Sequence, residues 1–529
     1  MVTTDKPTVL ILATLLESYG VRDIVVSSGT RCAPLTVALA RSGCFRLHPV
    51  IDERSAAFVG LGMSLATGRP VALVCTSGSA PLNYAPALAE AYYRRVPLIA
   101  ISADRPAWWI GQREGQTIRQ AGCLSSVCRC SVDLSPDNGS EHQQHEAVRL
   151  INKALDAATG IIKGPVHINV QIDTPMNRME EEKPYPAPMI RRQSGLCHSC
   201  FSGLDIPENT SVMLVVGGVR LDEHEREAIS QLTSLPGIAV AAEAQSNILG
   251  AFRPALFDRH LADAPVPEFL AIVGGDFVSG RFKQWLRSVS GKIAHIVSFT
   301  PEDEPVVTFG RLDANLPCSI AELAAYLRHF GGESDFNRHW RRFAGSCHTE
   351  TDAPVIDMLR RLAEGFCNGD IHVSNGSAIR YVQLLTFADG VQVECNRGVS
   401  GIDGCTSTAI GSAIASGRPT LLISGDMSAA YDVGALAIRD IPPTFKMAVL
   451  DNNGGDIFRN IPTTDRLPEL ERYFAMPPDF PVAKLAEAYG FAYFEASEAS
   501  YKAITSFLRY TGKAILRLII NPTKNKNLI

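Results

Sequence analysis

The stretch VLDNNGGDIF, residues 449–458, sets two asparagines and two glycines between an apolar run, FKMAVL, and the apolar pair Ile457–Phe458. Asn-Gly is a strong turn signal, so alone this segment reads as a polar turn after a strand. One strand earlier, TLLISGDMSAAYDVGALAIRD places Asp426 where a buried strand meets a helix. Alone, a Gly-Asp pair there reads as a helix cap. Ligands of open α/β sheets bind outside the carboxyl ends of the strands, so Asp426 and Asn453 are expected to face one crevice. A carboxylate and an amide oxygen are hard donors that suit magnesium (or manganese), with phosphate oxygens and water completing the octahedron. A carbonyl at Gly455 adds a third protein oxygen, because glycine lets backbone approach closely. Helix starts after Gly425 and near Gly401 favour phosphate groups. Together the two motifs are more specific than either alone.

Alternating strands and helices must position these residues. In the first third, DIVVSSG, VALVCTSGSA, VPLIAISADRP and PVHINVQID read as strands, and DERSAAFVGLGMSLATG and NYAPALAEAYYRR as helices. Continuous apolar strands between helices argue for a parallel, doubly wound sheet. The Pro-rich KPYPAP, 183–188, reads as a linker. MLVVGGVR, IAVAAEA, FLAIVGGDF and IAHIVSF form a second unit, whose glycine pairs do not make GxGxxG and so do not support a dinucleotide. DIHVSNG, VQVECNRG, TLLISGD, FKMAVLDNN and AILRLII are the strands of a third, with GCTSTAIGSAIAS and YDVGALAIRD as helices. The expectation is three doubly wound α/β domains with mainly parallel sheets, at 1–182, 190–345 and 350–529. The first and third share a design, which raises an ancient duplication.

A chain of 529 residues exceeds a single hydrophobic core, and domain sizes suggest roughly three or four. Charged residues are 20%, hydrophobic residues 46%, and the formal net charge is -5, so nothing argues for nucleic acid. No apolar run is long enough to span a bilayer. VLILATLLESYG is interrupted by Glu17 and reads as a first helix rather than a leader. Thirteen scattered cysteines fit reduced thiols and a cytoplasmic location. Cys197-His198-Ser199-Cys200 has metal or redox spacing but no second ligand pair, and the closing KNKNLI reads as a solvated tail.

GDM…NN at this separation resembles the diphosphate motif of thiamine-diphosphate enzymes, with Met427 where that family usually has glycine. The resemblance implies thiamine diphosphate held through magnesium by Asp426, Asn453 and the Gly455 carbonyl. It further implies a carboxylate that shares a proton with N1′ of the aminopyrimidine and so activates the thiazolium carbon, a role for a partly desolvated group. In this family that glutamate follows a strand and opens a small-residue helix, which places it at Glu53 in HPVIDERSAAFVGLGMSLATG. Without the C-terminal motif, Asp52, Glu53 and Arg54 read as helix-start charges and a surface pair. Cofactor contacts carry over to Ser77, Gly78, Gln116 and Ile402 (an apolar wedge that otherwise reads as core), and to Gly425, Met427, Ser428, Ile457 and Phe458. The family's active sites are shared between chains, which implies a homodimer or homotetramer.

SSGTRCAPL, SADRP, GQTIRQ, NGSAIR, NRGVSGIDG and GDMSAAYDVGAL further resemble the 2-succinyl-5-enolpyruvyl-6-hydroxy-3-cyclohexene-1-carboxylate synthases of menaquinone biosynthesis, across all three predicted domains. That implies decarboxylation of 2-oxoglutarate and 1,4-addition of the succinyl carbanion equivalent to isochorismate. Substrates with several carboxylates call for arginines, whose planar fork binds carboxylate bidentately. Arg31, Arg105, Arg281, Arg380 and Arg397 occupy matching positions, with Thr30, Gln116 and Ser377 as neutral partners. Any one arginine alone reads as a surface charge. Two positions depart from the pattern, Thr30-Arg31-Cys32 for Ser-Arg-Ser and Gly115-Gln116 for Asn-Gln. The second removes a polar contact and bears on substrate affinity more than on reaction type. The rival readings are another thiamine-diphosphate carboligase or 2-oxo acid decarboxylase, of the flavin-carrying acetolactate-synthase kind, and a catalytically inactive subunit.

Overall fold

The computed structural model describes residues 2–522 apart from 177, 182–184, 186, 191–200, 202–203, 205, 303–305, 333 and 348–352. The Cys197–Cys200 motif and the basic tail therefore lie outside the described residues. So does part of the 183–188 segment.

The chain folds as an α/β protein of mostly parallel sheets flanked by helices. In the first sheet the strands lie in the order Arg46–Pro49, Asp23–Val26, Val71–Cys75, Leu98–Asp104, Val166–Gln171, Cys130–Leu134, every neighbouring pair parallel. VALVC and LIAISAD are buried along their whole length, as a sheet covered on both faces requires. The last sheet runs Val391–Cys395, Gly369–Val373, Thr420–Gly425, Phe445–Asp451, Ala514–Ile519, Ala492–Ser497. Numbered by chain position within each sheet, both have the order 2-1-3-4-6-5. A middle sheet, Ile238–Ala242, Val212–Val216, Phe269–Val273, His295–Ser298, Ala314–Asn315, begins the same way as 2-1-3-4-5. All three therefore have a switch point between their first and third strands, where an open α/β sheet presents its crevice. Val2–Thr4 and Met179–Glu181 pair as an antiparallel ribbon.

Two compact units emerge, and they do not follow chain order: Met1–Ser194 with Gly398–Thr420 and Tyr431–Phe445, and Gly195–Arg397 with Leu421–Ala430 and Lys446–Ile529. Within the first, the helices Glu53–Thr67 and Cys405–Ser416 cross at backbone contact. A Cβ on Gly62 would lie 1.9 Å from the Thr408 carbonyl oxygen, and one on Gly411 2.0 Å from that of Val59. The crossing therefore exists only because both helices carry glycine at the contact. Buried Glu90 ties residues 398–399 to the same unit by accepting from the Gly398 and Val399 amides, both at 2.8 Å.

Three local expectations need correction. YDVGALAIRD is not an α-helix: the helix there is Asp426–Tyr431, followed by a 3-10 turn, Val433–Ala437. Buried Asp432 turns aside to accept from the Ser407 amide and hydroxyl at 2.7 and 2.9 Å, which breaks the helical run. The strand before Glu53 is a partly exposed edge, Arg46–Pro49, rather than an apolar one. The described part of the expected linker is bound rather than free: the Pro188 carbonyl accepts from Asn152, and the Ile190 amide donates to it.

Candidate active site

The sequence-predicted residues gather at strand ends in both units. In the first unit, Thr30 and Arg31 follow the first strand, Glu53 the second, Ser77 and Gly78 the third, and Arg105 the fourth. Arg31 is buried and donates from Nη1 to the Ile172 carbonyl at 2.8 Å. Burial, and then the nearby Arg105 guanidinium, pull its pKa down, so the pocket lowers the cost of an incoming anion. Arg105 donates to the Gly115 carbonyl at 3.1 Å and pairs with Glu114 at 3.6 Å. Ser77 donates to the Gln116 carbonyl at 2.9 Å, and the Gly78 amide to Gln120 at 3.0 Å. Gln116 is exposed, with φ of 54°. Thr30 is exposed as well. Ile402 also belongs to this unit and is half-buried.

Glu53 opens the Glu53–Thr67 helix and is the acidic residue of its first turn, as the helix-start alternative expects. Asp52 is the cap, accepting from the Arg54 amide at 2.9 Å. Arg54 donates to the Tyr431 carbonyl at 3.2 Å and lies over the Tyr431 ring at 5.0 Å. Glu53 is half-buried and has neither hydrogen bond nor ion pair among the described residues. Its carboxylate lies within electrostatic reach of the buried Cys75 and Tyr84, whose pKa values it helps burial to raise.

In the second unit, the third strand of the last sheet delivers Gly425 and Asp426. The Gly425 amide donates to Ser374 Oγ, at the end of the first strand, at 3.0 Å. Asp426 is 3% exposed and accepts from the Met427 and Gly454 amides, both at 2.7 Å. Burial outweighs those bonds and pushes its pKa up to about 6. The two loops of the motif thus touch, through a strained carboxylate that a cation would relieve. Ser428 is buried beside it, and Met427 is half-buried. Asn453 is exposed with φ of 62°, while Asn452 is buried with an unpartnered Oδ1. The left-handed turn residue is therefore Asn453, the first of the Asn-Gly pair. A Cβ on Gly454 would lie 2.2 Å from the Ala475 carbonyl oxygen, and the Gly455 amide donates to that oxygen at 2.6 Å. Ile457 and Phe458 are half-buried, with the Phe458 ring 5.9 Å from that of Phe474.

At the second strand's end, Arg397 donates to Asp276 at 2.7 Å and to Asn375 at 3.1 Å. Ser377 is buried at the start of the Ser377–Val382 helix, where Arg380 bonds back to the Gly376 carbonyl at 2.6 Å. Burial and then Arg397 lower the pKa of Arg380. Arg281 stands apart from this pair: it is half-exposed and 3.7 Å from Asp258, in a surface recess of about 470 Å³ with Arg259 and Trp285.

Among the described residues no three His, Cys, Asp or Glu side chains gather into a metal site. A cation at Asp426 would have one carboxylate and otherwise neutral oxygens, the donor set magnesium accepts. The buried, poorly neutralised Asp426 and the bare backbone at Gly454–Gly455 fit a metal-bound diphosphate. The sequence reading missed Arg459, which bonds the carbonyls of both Asn452 and Asn453. It also missed Asp456, which accepts from the Tyr381 hydroxyl at 3.2 Å. Asp456 has a partner remote in sequence, and Arg459 bonds main-chain carbonyls of the motif itself, which no side-chain pattern marks.

Residues 8–123 match the family model for the thiamine pyrophosphate enzyme N-terminal TPP binding domain. The chain is 35% identical to the 2-succinyl-5-enolpyruvyl-6-hydroxy-3-cyclohexene-1-carboxylate synthase of Porphyromonas gingivalis, over 98% of this chain and 95% of that one. The synthase of the same name from Phocaeicola vulgatus is 34% identical, over 93% and 91%. That from Desulfotalea psychrophila is 32% identical, over 96% and 97%. The chain belongs to this synthase family. It is a thiamine-diphosphate-dependent enzyme of the transferase class, and the N-terminal match spans Thr30, Arg31, Glu53, Ser77, Gly78, Arg105 and Gln116. Among the described residues no helix is long and apolar enough to cross a membrane.

Proposed function

We propose that this chain decarboxylates 2-oxoglutarate and adds the resulting succinyl unit, in a 1,4 sense, to isochorismate, forming 2-succinyl-5-enolpyruvyl-6-hydroxy-3-cyclohexene-1-carboxylate for menaquinone synthesis. The observation that carries the reading is near-full-length similarity to synthases of that name, in a chain that keeps Glu53, Asp426 and Asn453. Thiamine diphosphate, when bound, supplies the nucleophilic carbon and the electron sink for losing carbon dioxide.

The chain's own residues do the rest. Glu53 holds a proton at N1′ of the aminopyrimidine. Its lack of a hydrogen-bond or ion-pair partner among the described residues supports that role. Asp426, the Asn453 amide oxygen and the Gly455 carbonyl would hold magnesium, and Ile402 would pack against the cofactor. Ser77, Gly78, Gly425, Met427, Ser428, Ile457 and Phe458 line the cofactor. Arg31, Arg105, Arg380 and Arg397 orient the substrate carboxylates with Thr30, Gln116 and Ser377. Lowered pKa values at Arg31 and Arg380, each crowded by burial and a second arginine, support anion binding there. Arg281, at the start of the Gly280–Val289 helix, is assigned to the substrate by motif position alone. The three sheets correspond to domains at 1–182, 190–345 and 350–529. The working enzyme is a cytoplasmic homodimer or homotetramer, in which Glu53 of one chain serves the diphosphate held by another.

The test is an assay with 2-oxoglutarate, isochorismate, magnesium and thiamine diphosphate. The expected result is ultraviolet loss of isochorismate coupled one-to-one to carbon dioxide release. Carbon dioxide release without isochorismate consumption would mark a simple decarboxylase instead. A flavin spectrum in the purified protein would favour the acetolactate-synthase kind of carboligase.

A further inference from the structure

The peptide group joining Asn453 to Gly454 is held at both ends. Its N–H donates to the Asp426 carboxylate at 2.7 Å. Its carbonyl oxygen accepts from Arg459 Nη2 at 2.8 Å. The same guanidinium donates from Nη1 to the Asn452 carbonyl at 3.1 Å. Its other edge, Nε and Nη2, grips the Glu471 carboxylate at 2.9 and 2.8 Å. Glu471 lies in the turn Leu470–Ala475, the segment whose Ala475 carbonyl accepts from the Gly455 amide. Arg459 is thus a bracket between the asparagine loop and the segment packed beneath it. Its side chain is 11% exposed.

The backbone it grips is a flexible pair of residues. Asn453 has φ of 62° and Gly454 φ of 108°, two successive left-handed residues. Asn and Gly adopt positive φ more readily than other residues and leave it as readily, so local preference alone does not hold the peptide in one orientation. An arginine fork bonding two consecutive carbonyls enforces it, because five fixed donors leave the loop little rotational freedom. The positive charge also pulls on the far end of a peptide whose N–H faces Asp426, which aligns that dipole toward the carboxylate.

We infer that Arg459 is a positioning residue for the cation site: by fixing the Asn453–Gly454 peptide it sets where the Asn453 amide and the Gly455 carbonyl point, and hence magnesium affinity. This rests on the proposed cation role of Asp426, Asn453 and Gly455, and goes beyond it by assigning control of the site to a side chain that touches neither metal nor substrate.

The test is calorimetric titration of magnesium into full-length protein with thiamine diphosphate present, for wild type, Arg459→Met, Arg459→Lys and Glu471→Gln. Loss of a group that orients metal ligands typically weakens metal binding 10- to 100-fold, and Arg459→Met is expected in that range. Arg459→Lys keeps the charge but cannot span both carbonyls, so it recovers less than half of the loss on a logarithmic scale. Glu471→Gln leaves the fork in place and weakens binding by a few-fold. In turnover assays the rise in half-saturating magnesium exceeds the fall in kcat. Magnesium affinity within twofold of wild type in Arg459→Met overturns the inference. So does a kcat loss at unchanged magnesium affinity, or full rescue by lysine. If Arg459→Met does not fold, Glu471→Gln decides, and wild-type affinity there overturns the inference. A wild-type protein that binds thiamine diphosphate without any divalent cation refutes the cation reading itself, which separates that failure from a failure of Arg459.

Discussion

The first and last sheets share a strand order and differ at almost every strand end. After the first strand one carries Thr30 and Arg31, the other Asn375 and Ser377. After the second, one carries Glu53 and the other Arg397. At the third, Ser77-Gly78 in one sheet corresponds to Gly425-Asp426 in the other, and at the fourth, Arg105 to Asn453. Even a scaffold bond is repeated: the Ser27 amide donates to Val74 at 2.9 Å in one, and the Ser374 amide to Ile423 at 2.9 Å in the other. One topology therefore offers the same strand-end positions twice, and side-chain chemistry alone turns one set into a candidate proton-holding end and the other into a candidate metal end. The middle sheet shows a third outcome. There a Cβ on Gly217 would lie 3.0 Å from the Gly275 amide nitrogen, so backbone fills the switch point.

That contrast breaks most sharply at Glu53. Glu53→Gln is expected to lower kcat by about 100- to 10,000-fold, the range for losing a positioned proton donor, with thiamine diphosphate affinity nearly unchanged. Wild-type turnover in this variant would remove the proton role from the first sheet. Asp426→Ala should do the converse. Cofactor binding should lose its magnesium dependence and weaken on the order of 100-fold, read by calorimetry with and without chelator. Unaltered magnesium dependence would dissociate the last sheet from metal.

The sheets also differ inside. The fifth position in space of the first sheet buries His167, bonded to Ser102 at 2.7 Å and close to Ser131 at 3.3 Å, where the last sheet has the apolar Ala514–Ile519 strand. Burial lowers the His167 pKa from 6.5 to about 4. The unfolded chain therefore binds the proton first as pH falls. The contribution of neutral His167 is complete above pH 6.5 and is lost progressively toward pH 4, by about 3 kcal/mol. Comparing urea unfolding of wild type and His167→Asn at pH 7 and 4 isolates this: the wild-type advantage should shrink by that amount. A constant difference would show that His167 does not titrate in this window. The smallest effect expected is at the helix crossing. Gly62→Ala must push against the Thr408 carbonyl and should cost about 1–3 kcal/mol, seen as a lower Tm with little change in magnesium affinity. An unchanged Tm would mean the two helices separate without penalty.

Much of this was legible from residue order. Apolar runs between small-residue turns marked the main strands. Strand-end logic placed Asp426 near the asparagine loop before any coordinates, and the Gly454 amide bond to Asp426 bears that proximity out. The Arg46–Pro49 edge strand was less legible, because RLHP is anchored by charge rather than hydrophobicity. Arg46 and His48 both bond Asp23, and together they overcome its burial and hold its pKa below the ordinary carboxylate value. YDVGALAIRD misled because helical propensity is local, while Asp432 was claimed by Ser407 from another segment.

By itself, then, the order of residues determined the main apolar strands, though not the edge strands Arg46–Pro49, Cys130–Leu134 and Ala492–Ser497, and the enzyme family to which the motifs belong. Those follow from short-range periodicity and from motif spacing. Only the tertiary structure decided that 398–420 groups with the N-terminal sheet, that Asp52 rather than Glu53 caps its helix, and that Arg459 brackets the Asn453–Gly454 peptide. The first depends on segments distant in sequence coming together, and the other two on the exact backbone path over a few residues, neither of which motif spacing encodes.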